Sequence, residues 1–149
     1  MSLAVLPSSR HWGSGGDAHL NGVAETLEHM RVFWTWIGDV DHNGHPQNLL
    51  YSVSSGACAV LAIDHSYALC HGNAADPLAT GASQGYGTMV LPGREAWTSS
   101  GRDAVAALDW KAVENVVRRL QAIVTVDEQD RILRILEERR DNLGKLLGL

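Results

Sequence analysis

The sequence has no apolar run long enough to span a bilayer, and its first residues lack the basic-then-apolar pattern of a secretory signal. A cytoplasmic protein without a membrane partner is therefore the expectation. Cysteine is nearly absent: Cys58 and Cys70 are the only two in 149 residues, too few for a disulfide framework, and they read as reduced thiols. No internal repeat or low-complexity tract is visible. A basic excess is missing too. The formal charge is -5, whereas a nucleic-acid surface needs lysine and arginine to dominate, so no nucleic-acid partner is expected. What is there, 45% hydrophobic residues over a length typical of one domain, suffices for a genuine core.

The charge is unevenly placed. Residues 1–80 hold two basic and seven acidic residues, whereas residues 81–149 hold ten of each. All seven histidines, at positions 11, 19, 29, 42, 45, 65 and 71, also fall in the first half. This distribution favours a cation-holding site there.

Residues 1–20 are rich in turn formers (Pro7, Ser8, Ser9, Gly13 to Gly16) and read as an irregular, mobile leading segment; residues 21–149 read as a single domain. Val23, Leu27, Met30, Trp34 and Ile37 form one stripe of a helix capped by Asn21 and stopped at Gly38. A polar loop, Asp39 to Gln47, leads into a β-hairpin of strands 48–53 and 59–64 with Ser54 to Ala57 as its turn. The stretch from His71 to Gly101 has no clear period, and a short helix is expected within it. Two helices follow, one capped by Asp109 and one opened by the capping box Thr125-Val126-Asp127-Glu128. Ile132, Leu136, Leu143 and Leu147 share a stripe of the last. The fold class is thus mainly α (α+β), with a small hairpin.

The most informative stretch is Trp36-Ile37-Gly38-Asp39-Val40-Asp41-His42-Asn43-Gly44-His45-Pro46-Gln47-Asn48, followed later by Ile63-Asp64-His65-Ser66. A hairpin with converging outer ends brings Asn48 and Asp64 together. Their oxygens are hard ligands suited to magnesium, which also takes water and phosphate oxygens. Asp41 in the preceding loop has the chemistry to accept a proton from an attacking hydroxyl.

Taken together, these segments resemble the C-terminal, catalytic lobe of HipA-like kinases, an atypical protein-kinase-like family. In that family an aromatic-Ile-Gly-Asn-x-Asp segment, a His, a strand-opening Asn and an Ile-Asp-His stretch recur. The tail Arg139-Arg140-Asp141-Asn142-Leu143 resembles the family's Arg-Arg-x-x-Leu run. The resemblance covers residues 23 to 149. It implies a kinase C-lobe-like domain whose hairpin carries the metal-site residues. It also implies Asp41 as catalytic base, Asn48 and Asp64 as metal ligands, and Mg2+ and ATP as cofactors. The implied reaction is phosphoryl transfer to a hydroxyl, the implied partners a nucleotide and a protein substrate.

Two features depart from the family pattern. The spacing from Asp41 to Asn48 is seven residues rather than five. Either Asn43-Gly44 is an insertion at a turn, or Asn43 occupies the base position and the base is lost. The anchor Trp36-Ile37-Gly38 favours the insertion. No lysine precedes Asp41, and no phosphate-covering glycine-rich loop is present there. On the family reading the N-terminal lobe is missing, and the chain is expected to need a completing N-lobe partner.

Other readings use the same residues. The chain fits a catalytically silent kinase-derived binding module acting through a partner. It also fits a His/Asp transition-metal protein, with zinc or iron held by His42, His45, His65 and His71 beside Asp41 and Asp64. Asp41, Asn43 and Asn48 are equally ordinary turn residues. Cys70-His71 is not by itself a nucleophile pair. The pair Arg139-Arg140 reads as a solvated or carboxylate-paired face.

Overall fold

The computed structural model describes residues 9–39, 41–43, 45–65, 68–69, 76–78, 81–83, 86–88 and 91–149. Among these the chain forms a mixed α+β fold, mostly helical, with one small antiparallel sheet. Strand β1 (Arg10–His11) leads through two 3-10 turns, Trp12–Ser14 and Gly16–His19, into helix α1 (Leu20–Ile37). The 3-10 turns Asp41–Asn43 and Pro46–Asn48 come next, then β2 (Leu49–Ser54) and β3 (Ala57–Ala62). Helices α2 (Arg94–Ala106), α3 (Trp110–Arg118), α4 (Val126–Asp141) and α5 (Leu143–Leu147) complete the chain.

Helix α1 is the central beam. Val23, Leu27, Trp34 and Ile37 are buried on the face that the sequence period marks out, and Met30 is partly buried. The expected Asn21 cap is displaced: the helix begins at Leu20, because the 3-10 turn before it feeds directly into the first helical turn. Its end is at Gly38, whose φ of +70° places it in the left-handed region and lets its N–H bond back to Thr35 O.

The hairpin becomes a three-stranded sheet in the order β1-β2-β3. Tyr51 pairs with both Arg10 and Val60, and Ser54 faces Ala57 across the turn. Ser55 and Gly56 both have positive φ, the geometry of a two-residue hairpin loop that matches the twist of its strands. Leu49 and Tyr51 point into the core.

Helix α2 packs along α1, where Gly101 permits the approach: a Cβ there would stand 3.2 Å from Val32 Cβ. Helix α1 also carries a buried ion pair of its own. Arg31 grips Glu28 through Nε (2.9 Å) and Nη2 (2.6 Å), while Thr88 Oγ1 donates to the other Glu28 oxygen at 2.8 Å. Helix α4 closes the core with Ile132 and Leu136, and Trp36 Nε1 donates to Leu136 O at 2.9 Å. The capping box on Thr125 and Glu128 and the Asp109 cap both form as their sequences dictate.

Candidate metal centre

The site begins where α1 ends. Because Gly38 turns the chain left-handed, Asp39 N can reach back to Trp34 O at 2.9 Å, and the Asp39 side chain is carried inward to full burial. The 3-10 turn Asp41–Asn43 then lays the His42 ring flat against Trp34, with centroids 4.3 Å apart and planes 11° from parallel. His65 arrives from the far side of the sheet, three residues past β3. The backbone of Ile63, two residues before it, donates to Asn48 O at 2.8 Å, which fixes the course of this segment.

Three side chains converge as a result. His65 Nδ1 lies 2.7 Å from Asp39 Oδ2, and His42 Nδ1 lies 3.2 Å from the same oxygen. The two imidazole rings are 4.9 Å apart. The His42 contact is close but off the hydrogen-bond direction, so both its ring nitrogens are buried without a hydrogen-bond partner among the described residues. One ligand atom each from Asp39, His42 and His65 lies within 4.8 Å of the others, a buried cluster suited to a divalent metal ion. Asp39 and His42 are buried, whereas the His65 side chain is 40% exposed, so the cluster opens to solvent on one side.

Burial alone would raise the pKa of Asp39. Contacts with His42 and His65 and the Asp41 backbone N–H outweigh that effect and hold its carboxyl below the usual range. Nearby, burial together with the Asp39 and Asp41 charges pushes the Tyr86 hydroxyl well up. That hydroxyl stays protonated and donates to His45 O at 3.2 Å.

The residues singled out by sequence fall differently. Asn48 Nδ2 donates to Asp41 Oδ2, so these two are in contact. Asp64 is exposed, with a φ of +58°, one residue beyond the Ile63–Asn48 bond. His45 Nε2 stands 3.6 Å from Asp41 Oδ1 and its Nδ1 accepts from Gln47 Nε2 at 2.8 Å, so it does not join the cluster. The acid of the histidine cluster is Asp39, not Asp41 or Asp64. His71, Cys70, Ser66 and Gly44 lie outside the described residues, as does the Asn43 side chain. Asp39 went unassigned because the Asp-x-Asp repeat offers two carboxylates, and the resemblance selected the second. The usable signal is spacing: Asp39 and His42 stand three positions apart in one short polar loop.

A large cavity, about 810 Å³, lies elsewhere, between α1, α2, α3 and α4. Phe33, Trp36, Val113, Val116 and Leu136 are among its lining, and no described lysine or arginine faces it to receive a phosphate. No protein-family model matches the chain, and neither a curated protein nor a solved structure matches it.

Proposed function

We propose that the protein is a His/Asp transition-metal protein that holds one zinc-class divalent ion through Asp39, His42 and His65. The observation that carries this reading is the convergence of the three ligand atoms within 4.8 Å around a buried carboxylate. Two imidazoles and one carboxylate suit zinc, iron or nickel, whereas magnesium prefers oxygen donors throughout. Leaving a polar atom buried without a partner costs about 1–3 kcal/mol, and a metal bond to His42 removes that cost. Three protein ligands with a solvent-facing side correspond to a centre that keeps an open coordination position.

The test is a Co2+ titration of chelator-stripped protein, read in the visible spectrum. One equivalent binds, Zn2+ displaces it, and excess Mg2+ does not. His42→Leu abolishes binding while the metal-free variant still folds. Folded wild-type protein that takes up neither Co2+ nor Zn2+ overturns the reading.

A second reading, ATP- and Mg2+-dependent phosphoryl transfer with Asp41 as base and Asn48 and Asp64 as metal ligands, draws support from the Asn48–Asp41 hydrogen bond. The silent kinase-derived module is its inactive form. Mg2+-dependent ATP binding that disappears in Asp64→Ala is the outcome that moves the assignment to it.

A further inference from the structure

Arg139 contradicts the expectation of a solvated or carboxylate-paired arginine: its side chain is fully buried on α4. The guanidinium faces backbone carbonyls. Nε donates to Thr35 O at 2.9 Å and Trp36 O at 3.1 Å, Nη2 to Thr35 O at 2.5 Å, and Nη1 to Pro77 O at 2.7 Å. Thr35 and Trp36 belong to the last turn of α1, where carbonyls run out of helical partners and the helix dipole leaves partial negative charge. The guanidinium also packs against Gly38, where a Cβ would come within 3.5 Å of Nε. One cation thus clamps the turn that delivers Asp39, three residues beyond Trp36.

We propose that Arg139 is a positioning residue for the metal centre: it fixes the end of α1 so that the Asp39 carboxylate meets His42 and His65. The proposal rests on the metal-centre reading above. A planar fork is needed, since three carbonyls in different directions must be met at once; a lysine supplies one flexible ammonium and cannot span them. Arg140, next in sequence, does a different job. Its guanidinium lies 4.5 Å from the Trp110 ring centroid, on the exterior side of α4.

Arg139→Lys is compared with Val117→Ala, a core truncation on α3 that weakens packing without touching the end of α1. Co2+ titration and 15N-resolved imidazole signals of His42 and His65 in metal-free protein are read in both. The expected result is that Arg139→Lys lowers Co2+ affinity about tenfold or more and shifts both imidazole signals, whereas Val117→Ala changes neither. Equal changes in the two variants, or none in Arg139→Lys, overturn the proposal. Wild-type protein that fails to bind Co2+ refutes the metal reading separately, and the metal-free imidazole signals then still decide the role of Arg139. Should Arg139→Lys not fold, Arg139→Gln, which keeps two donors, is read in the same way.

Discussion

Glu28 carries a carboxylate into the interior face of α1, where Arg31, Thr88 and Thr98 meet it. Burial alone raises its pKa, yet hydrogen bonds from Arg31, Thr98 and Thr88 outweigh burial and hold the group below its ordinary value of 4.5. A depressed folded-state pKa adds stability that is full above the unfolded value and disappears as pH falls through the folded one. Glu28→Gln should therefore cost about 3 kcal/mol at neutral pH, since Arg31 loses its buried counter-charge. The deficit should shrink at about pH 3. Urea unfolding at both pH values measures it, and a deficit that stays constant with pH contradicts this account. Single residues were the least legible scale. Nothing local marks Arg139 as buried or Arg140 as partly exposed, because the three carbonyls and the Trp110 ring that separate their fates lie far away in the chain.

At the scale of elements, the turn after α1 governs the site. Gly38 sits at a φ of +70° with Arg139 against it, so Gly38→Ala both enters the left-handed region and crowds the guanidinium. The backbone penalty is about 1–2 kcal/mol. Thermal unfolding should register this loss, and the same variant should bind Co2+ more weakly; unchanged affinity would separate the turn from the centre. Elements whose signals are local were readable in the sequence: the Gly38 stop, the Asp109 cap, the Thr125–Glu128 capping box and the hairpin itself, although its turn is the two residues Ser55-Gly56 and not the expected four, because Ser54 and Ala57 pair across it. Elements set by distant partners were not. β1 exists only by pairing with β2. Among the described residues, the helix that enters the stretch 71–101 is α2, which starts at Arg94 and runs on to Ala106, along the α1 face where Gly101 admits it. The last helix breaks at Asn142 into α4 and α5 although one apolar stripe runs through both.

At the scale of the whole molecule, the first-half excess of acid and histidine now has a location. Asp39, His42 and His65 come together because α1 ends in a left-handed turn and β3 returns alongside Asn48. The broad class, mainly helical with a small antiparallel sheet, follows from apolar periods and turn residues. The identity of the clustered acid does not, because 26 positions separate Asp39 from His65 and only the completed fold joins them. None of the helices among the described residues is long and apolar enough to cross a membrane. The central claim, one transition-metal ion on these three residues, is tested most directly by anomalous diffraction from crystals grown with Zn2+. The expected result is a single zinc peak about 2.0–2.2 Å from one atom each of Asp39, His42 and His65. Zinc absent from that position, or bound instead at Asp41, Asn48 and Asp64, contradicts it.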